Sequence, residues 1–509
     1  MQEQRVAFGP FVFDYATATL WHGETLAPLG GRAAVLLGAL LEADNGVVTK
    51  AALMERVWPG TIVEDGNLTA QIATLRKILG PRPDGQEWIT TISRVGYRLV
   101  REAAEPSGKP SIAVLPFVNL SSDPEQDYFV DGMVDDLITA LSRFRTFAVV
   151  ARNSSFAYKG RAVDIREAAR ALGVRYVLEG SVRRTERQVR VSAQLIEGTT
   201  GAHLWAEKFD GPLEDVFDFQ DRITENVVSL VEPQVRQAEI ERARRKRPEN
   251  LDAYDLYLQA LPLMHQGQSV LRLEHYSEAV ELFERAVALD PTFAPALAYA
   301  AWAHEKRLTR GGVAPPGVDD TQATLALAER AVVADSNDAI VLVIAGVSLI
   351  TVKNDAEGGF ALIRRALGLN PNSQLVAGVA GYAHFHCGSF DESIECYLRA
   401  VQLSSGVPEE FPILGCIARS HLAMGRTEEA LTWGLRSLEG YTGYDFAHCV
   451  AAASYAHLGR LEEARATVQR ALSIWPTLTI ATLLGSIAQP EDRDRLLIEG
   501  LRKAGMPAS

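Results

Sequence analysis

Small residues recur at a nearly fixed interval through the second half of this chain. Ala286, Ala331, Ala366, Ala400, Ser437 and Ala471 are separated by 45, 35, 34, 37 and 34 positions. Pro291, Pro371 and Pro476 each follow five residues after one of them, and Gly388, Gly425 and Gly459 keep step at 37 and 34. A core phrase repeats as Ser277-Glu-Ala-Val-Glu-Leu-Phe-Glu-Arg-Ala286, Phe390-Asp-Glu-Ser-Ile-Glu-Cys-Tyr-Leu-Arg-Ala400 and Leu461-Glu-Glu-Ala-Arg-Ala-Thr-Val-Gln-Arg-Ala471. Such a period, with small residues where helices must cross, dictates stacked helix pairs. One pair cannot bury its own apolar stripe, so its neighbours must complete the core. The long first interval accommodates Gly311-Gly-Val-Ala-Pro-Pro-Gly317, an insertion in an inter-helix loop. About six such units make a concave groove suited to a peptide, a protein or a second copy of the chain.

The charge is unevenly spread. Of a net −13, residues 251–509 carry −10, residues 1–100 carry −1 and residues 101–250 carry −2. That balance argues against coating nucleic acid by bulk charge, but leaves room for a small local DNA-reading surface. Glu102-Ala-Ala-Glu-Pro-Ser-Gly-Lys-Pro110 has the composition of a linker. Arg244-Arg-Lys-Arg247 before Pro248 reads as a solvated helix end, with an added DNA contact as the alternative. The most apolar stretch, Ala339 to Val352, has 14 residues, whereas a membrane span needs about 20. Cys387, Cys396, Cys416 and Cys449 match no metal-ligand spacing and read as buried thiols in a reducing compartment. No basic stretch followed by an apolar run opens the chain, so a cytoplasmic protein with no membrane partner is expected.

The first hundred residues start as short half-buried strands with quick turns, around Phe8, Phe11-Val-Phe13, Leu20-Trp21 and Leu26. Leu36, Leu37, Leu40 and Leu41 then form one helical face, closed by Asn45-Gly46. Thr49 is a good N-cap for a second helix carrying Leu53, Val57 and Trp58, stopped by Pro59-Gly60. A third helix is expected at about 67–79, with Asn67 as its cap and Leu68, Ile72, Leu75 and Leu79 on its buried stripe. Its other face carries Thr69, Gln71, Ala73, Thr74, Arg76 and Lys77, with no carboxylate to repel phosphates. Trp88 to Ile92 and Tyr97 to Val100 flank Ser93-Arg-Val-Gly96 and read as a hairpin.

In this order Leu53-Met-Glu-Arg-Val-Trp58, Asn67-Leu-Thr-Ala-Gln-Ile-Ala-Thr-Leu-Arg-Lys77 and Thr91-Ile-Ser-Arg-Val-Gly-Tyr-Arg98 resemble the OmpR/PhoB-type winged helix. The resemblance implies that the third helix enters the major groove and the hairpin reaches the minor groove. It puts Thr69, Gln71, Ala73, Thr74, Arg76 and Lys77 on the groove face, and Thr91, Ser93 and Arg94 on the wing. Arg76 and Lys77 suit phosphates, while Thr74 or Gln71 suits base edges. Ala73 and Thr74 stand where many relatives have arginine. The segment Pro59 to Gly66 resembles one that touches RNA polymerase in that family.

Between linker and repeats, Ser111 to Phe117 is a short buried strand, followed by helical spacing over 127–144. Strands are expected at Ala148-Val-Val150, Val174 to Val182, Gln188 to Ile196 and Leu204 to Phe209, and helices at Ile165 to Leu172 and Val216 to Val231. This alternation makes a mixed α/β layer. Asp131, Asp135 and Asp136 read as acids at a helix start, with Mg²⁺ binding as the alternative. His203 beside Trp205 reads as a strand-packing residue. No phosphate-binding glycine loop and no G-x-S-x-G frame is present, so no cofactor and no enzymatic activity are expected. Ile112 to Phe117, Tyr176 to Val182 and His203 to Glu207 resemble the TolB N-terminal-like module, and the repeats resemble tetratricopeptide repeats, with Gly434 at a usually aromatic position.

The expected fold is therefore multidomain: a winged helix-turn-helix over 1–102, an α/β domain over 110–235 and a tetratricopeptide-like α-solenoid over 250–509. The expected function is a bacterial transcriptional regulator of one-component type that binds promoter DNA as a homodimer. Its repeat groove would take an unknown protein or peptide. The alternatives are a scaffold whose winged helix serves protein contacts, and a nucleotide- or metal-binding enzyme working through the middle domain.

Overall fold

The computed structural model describes residues 5–8, 11–22, 25–43, 48–60, 63, 65–80, 87–92, 96–99, 109–121, 127–161, 163–185, 188–212, 216–246, 251–266, 274–310, 312–404, 411–485 and 492–509. The chain divides into two compact units, Met1–Ser107 and Gly108–Ser509.

The first unit opens with an antiparallel four-stranded meander, β1 (Arg5–Phe8), β2 (Phe11–Asp14), β3 (Thr19–His22) and β4 (Thr25–Leu26). Three helices follow, α1 (Gly31–Glu42), α2 (Lys50–Val57) and α3 (Asp65–Leu79), with the short strand β5 (Val48–Thr49) before α2. The hairpin β6 (Ile89–Ile92) and β7 (Gly96–Leu99) closes the unit, and β5 pairs with β7. Thr49 does cap α2, its hydroxyl accepting from the Ala52 N–H at 3.2 Å. The third helix starts two residues before Asn67, which lies inside it rather than capping it. The core joins Leu36, Leu40, Leu53, Leu68, Ile72 and Leu75. Trp88 meets Phe8 and Phe11 edge-on, at centroid distances of 5.8 and 6.0 Å, and so fastens the meander to the foot of the hairpin.

The second unit begins with a mixed sheet. Its strands are β8 (Ser111–Val114), β9 (Val118–Asn119), β10 (Ala148–Val149), β11 (Tyr176–Arg184), β12 (Gln188–Glu197) and β13 (His203–Pro212). The order is β10-β8-β11-β12-β13, parallel across the first three and antiparallel across the last three, with β9 beside β11. Alternation along β8 explains why both faces are covered. Ile112 and Val114 face α4 (Asp127–Leu141) and α7 (Val216–Arg245), while Ala113 packs with Ala168 and Ala169 of α6 (Ile165–Leu172). The short helix α5 (Arg152–Phe156), like β9, carries no periodicity long enough to be read from sequence.

Helix α7 runs 30 residues, through Pro233, past the stop that this proline suggests. Burial overrides the proline: Val235, Ile240, Ala243 and Glu239 are all buried beyond it. The solenoid follows in antiparallel pairs: α8 (Ala253–Gln266) with α9 (Glu274–Leu289), α10 (Ala294–Thr309) with α11 (Asp320–Ala334), α12 (Ala339–Lys353) with α13 (Ala356–Leu369). Next come α14 (Gln374–His386) with α15 (Phe390–Leu403), α16 (Phe411–Ala423) with α17 (Thr427–Gly440), α18 (Asp445–His457) with α19 (Leu461–Ile474), then α20 (Ile480–Gly485) and α21 (Arg495–Lys503).

The six periodic small residues fall one to each second helix, and all are 0% exposed. A larger side chain there would push the crossing helix away. Gly388, Gly425 and Gly459, in the turns between helices, have φ of 77°, 74° and 75°. The apolar stretch at Ala339 is helix α12, buried in the solenoid. No helix among the described residues is long and apolar enough to cross a membrane.

A buried ionic network ties the sheet module to the repeats. Glu239 of α7, fully buried, accepts from Arg175 Nη1 at 2.5 Å, from the Tyr176 hydroxyl at 2.7 Å and from Arg242 Nε at 3.0 Å. Arg242 and Lys246 in turn reach the buried Asp255 of α8, at 3.3 and 2.6 Å. Farther along, Arg399 of α15 donates to Glu225 of α7 at 2.8 Å. The basic run expected as a solvated end or a DNA contact thus spends Lys246 on this network.

Candidate nucleic-acid interface

Helix α3 is built with two unlike faces. Leu68, Ile72, Leu75 and Leu79 are each at most 4% exposed and point into the unit. Thr69, Ala73, Thr74 and Lys77 are exposed on the opposite face, joined by Asn67 and Ala70, and Gln71 is half-buried at its margin. None of these exposed side chains is a carboxylate. Thr74 donates its hydroxyl to the Ala70 carbonyl at 2.9 Å, leaving its oxygen lone pairs outward as acceptors. Lys77 has no carboxylate within ion-pair distance among the described residues.

Arg76 sits elsewhere than expected. Its guanidinium turns from the outward face to the hairpin, donating to the Ile89 carbonyl through Nε and Nη2 at 3.0 and 2.6 Å, and to the Thr91 hydroxyl at 3.0 Å. Glu87 lies 2.7 Å from Nε. Arg76 therefore braces helix against wing, and its Nε and Nη2 donors are occupied within the unit. The physical reason is that a long side chain at the margin of α3 reaches the carbonyl of the neighbouring strand. Thr91 is exposed on β6 and shares that contact. Ser93 and Arg94 lie outside the described residues, as do Thr61, Ile62 and Glu64 of the 59–66 segment compared with a polymerase contact. Gly96 anchors the returning strand: a Cβ there would fall 1.9 Å from the Val48 carbonyl oxygen, so β5 and β7 approach this closely only with glycine.

The candidates in the second unit resolve differently. Helix α4 begins at Asp127, which puts Asp131, Asp135 and Asp136 inside it and not at its start. Asp131 meets Lys159 at 2.6 Å, Asp135 meets Arg152 at 3.2 Å, and Asp136 accepts from Gln220. Each carboxylate has its own partner, and no cluster able to hold a metal ion occurs among the described residues. His203 is exposed at the start of an edge strand instead of packed. Of the thiols expected to be buried, only Cys449 is; Cys387 is exposed, and Cys396 and Cys416 are partly covered. Burial still raises the thiols of Cys387, Cys396 and Cys449, Cys396 to about 11, which keeps them protonated and unreactive near neutrality.

Residues 24–99 match the family described as transcriptional regulatory protein, C terminal. Residues 107–226 match the second domain of HilA/YgeH-like transcriptional regulators, and residues 378–406 match a tetratricopeptide repeat. The chain joins an OmpR/PhoB-type winged helix to a HilA/YgeH-like domain and tetratricopeptide repeats. The α/β module expected to be TolB N-terminal-like is the part of the chain that matches the HilA/YgeH-like second domain.

Among curated relatives, "Putative adenylate cyclase 3" of Rhizobium meliloti (strain 1021) is 48% identical over 200 residues, 38% of this chain and 33% of that protein. The cholera toxin homolog transcriptional activator of Vibrio parahaemolyticus is 34% identical over 99 residues, 19% of this chain and 33% of that protein. The chain thus spans about a third of the length of the curated relatives it matches. The solved DNA-binding domain of Escherichia coli CadC is 24% identical, with 20% of this chain and 95% of that one covered, at a TM-score of 0.18.

Proposed function

We propose that this chain is a sequence-specific, DNA-binding transcriptional regulator of one-component type, whose second unit senses a signal or binds a partner. The observation that carries the reading is the exposed face of α3, which from Asn67 to Lys77 carries no carboxylate. Thr69, Gln71, Ala73 and Thr74 are short enough to let the helix backbone approach base edges, and Lys77 supplies a phosphate contact. Arg76 acts as a positioning residue, holding the wing that carries Ser93 and Arg94 toward the minor groove. The match of residues 24–99 to a transcriptional regulatory family, and of residues 107–226 to a HilA/YgeH-like one, supports the same reading. Dimerisation belongs to the proposal, because one winged helix reads few base pairs and two linked copies gain effective concentration. So do contact of the 59–66 segment with RNA polymerase and, following from promoter binding, action in the cytoplasm. No reaction is proposed, and the purified chain is expected to form no cyclic AMP from ATP.

The test is anisotropy of labelled genomic fragments, chosen by footprinting, titrated with the full chain at several salt concentrations. Saturable binding that weakens steeply with salt is expected. Ala73→Glu places a carboxylate on the open face and is expected to cost at least tenfold in affinity with thermal unfolding unchanged. Absence of saturable binding at low salt removes the regulator reading in favour of a scaffold role.

A further inference from the structure

The inner wall of the repeats encloses a cavity of about 200 Å³, closed on its other side by α7 and Phe144 of the sheet module. Its walls carry several aromatic rings, among them Tyr276, Trp302, Tyr382 and Tyr444. Its charge is mainly positive: Arg236, Lys306 and Arg310 line it, against one acid, Glu232. Glu232 stands 4.0 Å from Arg236. The Lys306 ammonium is 3.0 Å from Glu305 and 3.6 Å from the centroid of the Tyr382 ring. Arg310 differs. It is half-buried, lines the cavity, and among the described residues its guanidinium has no carboxylate partner and no hydrogen bond. Elsewhere in the repeats the buried Arg307 lies 2.5 Å from Asp320 and the half-buried Arg419 lies 2.6 Å from Asp494.

A guanidinium held among rings with no counter-charge among the described residues gains most from an anion that brings its own apolar body. Size narrows the choice, since a cavity of about 150 Å³ holds benzene. We propose that this cavity binds a small single-ring aromatic anion, its carboxylate or phosphate on Arg310 and its ring among Tyr276, Trp302 and Tyr382. Because Phe144 and α7 form one wall and the repeats the other, an occupant touches both the sheet module and the solenoid. This assigns the sensing role of the second unit a ligand class, and it is measured without DNA.

The test is calorimetric titration of the full chain with benzoate, phenyl phosphate and the neutral isostere benzyl alcohol. One site per chain is expected, with at least one of the two anions bound tenfold or more tighter than benzyl alcohol. The tighter anion identifies the head group. Arg310→Gln is expected to erase that tenfold and leave benzyl alcohol unchanged. Gly378, on the cavity wall, has open space where its Cβ would be. Gly378→Leu is therefore expected to fill the cavity without disturbing α14 and to abolish binding of all three compounds. Equal affinity for anion and alcohol, undiminished anion binding by Arg310→Gln, or no saturable binding by either anion overturns the proposal. Fragment binding by α3 is scored separately, so either reading can fail while the other stands.

Discussion

The two units treat charge in opposite ways. In the first, the polar face of α3 is kept at the surface, and its one inward-turned cation, Arg76, is spent on holding helix to hairpin. In the second, charge goes inside: Glu239 and Asp255, both 0% exposed, gather Arg175, Arg242 and Lys246 at the junction of sheet and repeats. A surface intended for a polyanion must leave its donors unsatisfied by protein and free of carboxylates. A junction intended to hold one geometry must satisfy every buried charge. The difference separates residues that make contacts outward from residues that make the protein rigid, and it can be broken from both sides.

The largest effect is expected at the junction. Glu239→Ala leaves Arg175 and Arg242 without their shared carboxylate, and removing one partner of a buried pair costs about 3–5 kcal/mol. Thermal unfolding should show this loss in the transition of the second unit, with fragment binding by the first unit retained. Arg76→Ala removes charged hydrogen bonds to Ile89 and Thr91 in the first unit, a loss of about 1.5–3 kcal/mol. It should lower that unit's denaturant midpoint and leave the second unit's transition where it was. Were Arg76 instead a phosphate contact, affinity would fall with stability unchanged.

Acid should distinguish the units further. Burial, first among the causes, depresses the imidazoles of His384, His386, His421 and His448, and for His386 the neighbouring Lys306, Arg493, Arg419 and Arg310 add to it. Their ordinary value is 6.5. Below it the unfolded chain takes up protons that the folded repeats refuse, so stability is complete above that value and declines as pH falls toward the depressed folded values. Melting of the second unit between pH 7.5 and 5.5 should follow this slope, and His386→Asn should flatten it. The smallest effect is expected at Lys77: Lys77→Ala should weaken fragment binding evenly across sequences and reduce the salt slope by about 1.

Much of this was legible in the residues. The repeat period predicts which small residues sit at helix crossings, because each crossing is a local contact between sequence neighbours repeated down the array. The stripe Leu68, Ile72, Leu75 and Leu79 predicts the buried face of α3 for the same reason, and with it the exposed one. Less was legible where a distant partner decides. The helix read as Val216 to Val231 runs on to Arg245, where Glu239 finds Arg175 and Tyr176 some sixty positions away in sequence. Asp131, Asp135 and Asp136 read as one cluster, yet helical geometry and three separate partners disperse them.

By itself the order of amino acids determined the elements, their apolar faces and the kinds of domain they build, since those follow from periodicities of two, 3.6 and about 34 residues. Only the tertiary structure decided which cations are spent and which are left over. Arg76, Lys77, Lys246 and Arg310 are alike as letters. A cation becomes a brace, an outward contact, a buried pair or an uncompensated charge according to the carboxylates and carbonyls that folding brings within a few ångströms, and no local pattern encodes that distance.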